Sequence, residues 1–209
     1  MNSELVEPLS EFKNSDRALA GRMELLWAEA NEIWEGFRQQ PQFRELVTAD
    51  YAEVFRALAK MRGRVQTVLE WGSGLGVITI MASCLGFEAY GLEAEPKMVD
   101  WSQTLSRKYG ADAQFVCGSF VPAEYEWDPE YGDENFRTRL DLESGYEELD
   151  MELRDFELVY SFPWPEEQPL HRDIMRTCGA PGALLMTYDY REGITVSHCR
   201  GADEEYRPE

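Results

Sequence analysis

Basic residues are the scarce class in this chain: 20 Lys and Arg stand against 40 Asp and Glu, for a net charge of −20 over 209 residues. So acidic a chain repels phosphate backbones, which argues against a nucleic-acid substrate. Long apolar runs are missing as well, and none approaches the roughly twenty residues that a membrane span needs. The first seven residues, Met1 to Glu7, have neither a basic stretch nor an apolar core, so no leader is expected and the chain reads as soluble and cytoplasmic. There are only four cysteines, Cys84, Cys117, Cys178 and Cys199, and none forms a CxxC pair. They read as reduced thiols, the first two inside apolar elements, with no metal site and no disulfide framework.

Length permits one substantial core with a small appendage. After a loose arm of fifteen residues, Leu19, Met23, Leu26, Trp27, Ala30, Trp34 and Phe37 repeat at helical spacing, with Pro41 as the stop. A second helix is predicted from Ala49 to Met61. These two make a helical extension over residues 1–63, with a role as a lid left open. From residue 64 to 200 strand and helix patterns alternate, which predicts a mainly parallel sheet covered on both faces, and 201–209 is a polar tail. Strands are expected at Val65–Glu70, Glu88–Glu93, Ala113–Cys117, Phe156–Phe162, Ala183–Tyr188 and Ile194–His198, with helices at Pro96–Tyr109 and around Gln168–Cys178. Between Pro122 and Asp155 lie thirteen acids and three arginines, a net of −10. That stretch is a solvated loop or an attractor of cations, with a short helix possible over 140–153.

The most informative segment is Val68-Leu69-Glu70-Trp71-Gly72-Ser73-Gly74-Leu75-Gly76-Val77, an apolar strand ending in an acid and running into alternate glycines. Without Cβ atoms, such a turn lets backbone amides approach a ligand. A dinucleotide loop has its third glycine two residues beyond the second. Here that position is Val77, which disfavours a nicotinamide-dependent oxidoreductase. Glu93 closes the second strand about twenty residues on, where such folds place an acid for ribose hydroxyls.

Glu-x-Gly-x-Gly-x-Gly resembles the first motif of class I S-adenosylmethionine-dependent methyltransferases, and the resemblance spans about Arg64 to His198. It implies a Rossmann-like, doubly wound α/β fold, here with a shortened C-terminal end, S-adenosylmethionine as cofactor, and a methyl acceptor that is a small molecule or a protein group. It also implies a cofactor-binding set of Glu70, Trp71, Gly72, Ser73, Gly74, Gly76, Glu93, Ala94, Gly118, Ser119 and Phe120. Glu70 would face the donor's ammonium, and Phe120 would stack near the adenine. On the acceptor side, Ser161, Pro163 and Trp164 resemble the Asp/Asn/Ser-Pro-Pro-aromatic pattern of enzymes that methylate amino groups, with Phe162 replacing the first proline. Asp189, Tyr188 and His171 are the nearest candidate bases; His171 is expected on a helix surface, and His198 too late in the chain. Glu166 and Glu167 read as an exposed acidic helix start or as an attractor of a cationic acceptor. No catalytic base is assigned. A non-catalytic module that senses the ligand or holds a partner is the alternative.

Overall fold

The structure, a computed structural model, describes residues 14–40, 47–126, 138–139 and 141–199. Most of the expected N-terminal arm, the stop at Pro41, residues 127–137 and 140 of the acidic stretch, and the polar tail lie outside those residues. Two compact units divide the chain between Leu46 and Val47. The first contains the predicted amphipathic helix, α1, at Asn14–Phe37. Among the described residues no helix is long and apolar enough to cross a membrane.

The second unit opens with α2 (Tyr51–Met61), started by Asp50, whose Oδ1 accepts the Glu53 N–H at 3.0 Å. Such a cap stabilises a helix by about 1 kcal/mol. Then follow β1 (Thr67–Trp71), α3 (Val77–Leu85), β2 (Glu88–Glu93), α4 (Pro96–Tyr109), β3 (Ala113–Cys117), a one-turn α5 (Tyr146–Leu149), β4 (Leu158–Ser161), α6 (Gln168–Cys178), β5 (Leu184–Asp189) and β6 (Gly193–His198). The sheet order is β3-β2-β1-β4-β5-β6, parallel except for β6, which returns beside β5 as a hairpin. This is the doubly wound architecture predicted, and among the described residues β5 is followed by β6 alone. Among its described residues the acidic stretch holds α5 and a 3-10 turn at Leu153–Asp155.

Strand alternation decides which side chains meet. In β1, Leu69 and Trp71 face the layer built by α5 and α6, where Tyr146, Leu170, Ile174 and Met175 complete a buried apolar cluster. Glu70 points the other way, toward α3. Its register partners are Gly91 on β2 and Tyr160 on β4. β1 and β4 are adjacent although a long stretch of chain separates them, so the strand order reverses between them. Open α/β sheets bind ligands at that reversal, outside the carboxyl ends of the strands.

The cysteine reading needs one correction. All four thiols are free, but Cys117 at the end of β3 is exposed and Cys84 half-buried, whereas Cys178 and Cys199 are the buried pair. Cys117 shares a face with buried Phe115, and as the last residue of β3 it lies at the open end of that face.

Candidate functional site

Glu70 lies inside β1, not at its end, because the strand continues through Trp71. The carboxylate is buried, and its Oε2 accepts both the N–H of Thr79 at 2.9 Å and its hydroxyl at 2.5 Å. The acid therefore ties the strand to the first turn of α3 across the glycine loop. Burial pushes its pKa up to about 8; the Thr79 bonds pull it down, and the Glu93 charge adds to the rise. Among the described residues neither Glu70 nor Glu93 has a salt-bridge partner. A buried carboxylate without a cation is costly to ionise.

The three glycines do two different jobs. Gly72 and Gly74 sit at φ +67° and +53° with no atom within 4 Å of where a Cβ would be, so they leave open space on the outer side of the loop. Gly76, at φ +72°, caps α3, and a Cβ there would lie 2.5 Å from Phe115 Cε1 and 2.7 Å from Ser102 Cβ. The first two keep a ligand approach clear, and the third lets helix, strand and loop pack. Ser73, between them, donates its N–H to Leu92 O at 2.9 Å. Its buried Oγ has no partner.

Glu93 ends β2 beside this loop. Its Oε2 accepts the Gly74 N–H at 2.7 Å and its Oε1 the Glu95 N–H at 2.9 Å. Burial raises its pKa, and these backbone bonds oppose the rise. Gly118 after β3 donates to the Glu93 carbonyl at 2.9 Å. Its other side rests on the Gly145 backbone, 2.8 Å from where a Cβ would be. The Ala94 carbonyl makes a long contact, 3.8 Å, with Cys117 Sγ. Ser119 spends its hydroxyl on the Val121 N–H at 3.1 Å. Phe120 stacks on Trp71, ring centroids 4.9 Å apart and 16° from parallel. Glu70, the glycine loop and Glu93 thus form one constellation, while Trp71 and Phe120 stack together on the α6 side.

The acceptor-side candidates are more dispersed. Ser161 is only 1% exposed and, in register with Trp71, faces α6, opposite to Glu70. Its Oγ lies 2.7 Å from His171 Nδ1. His171 is therefore not the surface residue expected: it is 4% exposed, against Trp71 (5.4 Å) and Phe120 (4.9 Å), and burial lowers its pKa to about 3. An imidazole so held is neutral. Glu167 also departs from expectation, because it is buried and its Oε1 accepts the N–H and hydroxyl of Thr138 at 2.7 and 2.9 Å. Glu166 is exposed. Pro163 is buried and Trp164 half-buried, its carbonyl accepting the Glu167 N–H at 2.9 Å. Asp189 Oδ1 accepts the N–H groups of Arg191 (2.7 Å) and Glu192 (3.1 Å), which closes the β5–β6 turn. His198 pairs with Leu184 at the amino end of β5, the far end of the sheet. A cavity of about 320 Å³ opens at that same end, lined by Arg64, Arg154, Glu157 and His198 among others, away from the glycine loop.

Sequence reasoning missed Thr79, in the first turn of α3, and Tyr146, which accepts the Trp71 Nε1–H at 2.8 Å. A threonine nine residues after an acid that enters a glycine turn was the available signal for the first. Tyr146 lay in a stretch with no periodicity to place it.

No family model and no curated protein sequence matches the chain. Solved structures do. An RNA methyltransferase from Salinibacter ruber, in complex with S-adenosyl-L-homocysteine, superposes with a TM-score of 0.52 at 15% identity, covering 77% of this chain and 97% of that one. PH0226 protein from Pyrococcus horikoshii OT3 gives 0.48 at 16% identity, over 76% of this chain and 63% of that one. A SAM-dependent methyltransferase from Agrobacterium tumefaciens gives 0.42 at 18%, over 68% and 44%. The chain thus spans less than two thirds of the length of the latter two and nearly all of the first. Strand order, glycine turn and the first superposition agree that this chain has the fold of the class I S-adenosylmethionine-dependent methyltransferases.

Proposed function

We propose that the chain is an S-adenosylmethionine-dependent methyltransferase acting on a small molecule or a protein group, with an amine as the favoured acceptor. The observation that carries the donor half is the pair of carboxylates, buried Glu70 and half-buried Glu93, bracketing a glycine turn with open outer space. A pyrophosphate would meet two acids there, whose ionisation it would oppose. A ligand with an ammonium and a sulfonium would instead supply the cation that Glu70 lacks. The cradle left by Gly72 and Gly74 and the unpartnered Ser73 Oγ fit such a ligand as well.

S-adenosylmethionine, when bound, supplies a methyl group on a positively charged sulfur. The chain's share is to hold and to align. Glu70 would order the loop through Thr79 and face positive charge, and Glu93 would accept the ribose hydroxyls. Segment 161–164, at the end of β4, would border the acceptor. An amine that arrives neutral needs no protein base, which accords with Asp189 and His171 both being engaged elsewhere. The net charge of −20 disfavours a nucleic acid as the acceptor. We place the activity in the cytoplasm, where four free cysteines would stay reduced.

Titration calorimetry of the full chain with S-adenosylhomocysteine tests the donor reading. Binding is expected, and Glu93→Ala is expected to weaken it by about 1.5–3 kcal/mol, the usual loss for a hydrogen bond to a charged group. Tight binding of a nicotinamide dinucleotide with none of S-adenosylhomocysteine would overturn the reading. Release of S-adenosylhomocysteine from the methyl donor in the presence of an amine pool separates an enzyme from a ligand-sensing module.

A further inference from the structure

The mouth of the site carries aromatic surface that the donor reading leaves unused. β1, β4 and β5 end side by side: the last register step joins Trp71, Ser161 and Thr187, and Gly72, Phe162 and Tyr188 follow them. Alternation puts Tyr188 on the face of Glu70, since Glu70 pairs with Tyr160 and Tyr160 with Met186. Phe162 meets it there, the ring centroids 5.0 Å apart and the planes 87° from parallel. Tyr190 completes the group, 5.3 Å from Phe162 and 5.7 Å from Tyr188. Edge-to-face rings at these separations stabilise one another.

The three rings are unequally covered. Tyr188 is buried and Phe162 half-buried, but Tyr190 is 59% exposed. It is also held in place: its hydroxyl donates to the Thr48 carbonyl at 2.9 Å, and its ring rests against the other two. Two more bonds fix the start of α2 to the same hairpin, from the Asp50 N–H to the Tyr188 hydroxyl and from the Ile194 N–H to Glu53 Oε1 at 3.2 Å. Val47, one residue before Thr48, is 49% exposed. The other large exposed apolar side chains among the described residues, Leu25 and Trp101, stand on α1 and α4. Exposed apolar groups that cluster mark contact surfaces, whereas scattered ones need no explanation. A ring already immobilised loses little freedom when another stacks on it.

We infer that Tyr190 and Phe162, with Val47 beside them, are a stacking platform for the acceptor, and that the acceptor is a small aryl amine. The inference rests on the donor reading and deepens its acceptor half. A flat ring matches an immobile aromatic surface. The patch is only two exposed side chains wide, Val47 and Tyr190, which suits a small molecule. The nitrogen chemistry agrees. An alkyl amine is protonated near neutral pH and has no lone pair to give until a base removes a proton. An aryl amine keeps its lone pair, because conjugation with the ring lowers its basicity. The candidate bases at this end of the sheet are engaged: Asp189 closes its own turn, His171 meets Ser161 on the opposite face, and the Tyr188 and Tyr190 hydroxyls hold the start of α2. In the transfer the nitrogen lone pair forms the bond to the methyl carbon, the carbon–sulfur electron pair stays with sulfur, and the new ammonium sheds one proton to water.

Two probes, 3-aminoquinoline and cyclohexylamine, are titrated into the full chain saturated with S-adenosylhomocysteine. The aryl amine is expected to bind the wild type at least about fivefold tighter than the alkyl amine, and Tyr190→Leu to lose about fivefold for it. Tyr190→Phe keeps the ring and gives up only the Thr48 bond, so its affinity should stay near wild type. S-adenosylhomocysteine should bind all three chains alike; if Tyr190→Leu weakens it, Phe162→Leu takes that variant's place. The platform is overturned if 3-aminoquinoline binds no tighter than cyclohexylamine, or if it binds the wild type and the leucine variant equally. A wild-type chain that binds no S-adenosylhomocysteine sinks the donor reading instead, and the same two titrations of the free protein then decide the platform.

Discussion

Gly76→Ala is expected to be the most disruptive single-methyl change in the glycine loop, lowering stability by about 2–5 kcal/mol. Two separate costs add. The residue sits at φ +72°, and its new Cβ would fall 2.5 Å from one Phe115 ring carbon, 2.7 Å from another and 2.7 Å from Ser102 Cβ. The left-handed backbone costs an L-residue about 1–2 kcal/mol, and forcing a methyl into a filled core about 1–3 more. Phe115 has little room to yield, because its ring also fills the space over Gly91, where a Cβ would be 2.9 Å away. Ser102 cannot swing aside either, since the clashing atom is its Cβ, fixed to α4. The melting temperature should fall by roughly 10 °C. Gly74→Ala is the control: its φ is +53° but nothing lies within 4 Å, so it should lose only the backbone part, about 1–2 kcal/mol, while blocking ligand approach. Equal melting temperatures for the two variants would remove the packing argument. Partial recovery in Gly76→Ala with Phe115→Leu would identify the ring as the obstacle.

That contrast shows how much of the molecule was legible in its sequence. Alternation of apolar strands with periodic helices gave the sheet and its carboxyl-end site, since periodicity is a local property. The β1–α3 turn was legible because glycine and acid spacing is local too. What failed was long-range. His171 and Glu167 were read from their own helix as surface groups, but burial depends on what covers them: Trp71 and Phe120 in one case, Thr138 in the other. Ser161 stands at the end of β4 as expected, but what its side chain meets, His171 on α6, depends on strand alternation and on the packing of α6. The division of labour among the glycines was equally hidden, because Phe115 and Ser102, which make Gly76 obligatory, come from β3 and α4.

The free protein is expected to be most stable between about pH 4.5 and 6.5, losing about 2 kcal/mol on each side, toward pH 3 and toward pH 8. Two buried groups with opposite shifts cause this. Burial lowers the His171 pKa from 6.5 to about 3, so below pH 6.5 the unfolded chain binds the extra proton and stability is lost as pH falls. Burial raises the Glu70 pKa from 4.5 to about 8, so above pH 4.5 the folded chain holds the extra proton and stability is lost as pH rises. Between 4.5 and 6.5 the two slopes cancel; outside that window one acts alone, at about 1.4 kcal/mol per pH unit. Glu93, raised in the same direction, adds to the loss of stability as pH rises from 4.5. Urea titrations across this range measure the profile. Glu70→Gln should flatten its alkaline limb and His171→Leu its acid limb, and a Glu70→Gln profile that still falls as steeply toward pH 8 would refute the assignment. A cationic ligand reverses the alkaline cost. It favours ionised Glu70, so its binding should tighten as pH rises toward 8 and should release a proton near pH 7, measurable by calorimetry in two buffers of different ionisation enthalpy. Proton release that persists in Glu70→Gln would locate the coupling elsewhere; its disappearance would tie the chain's costliest buried charge to the ligand it is built to hold.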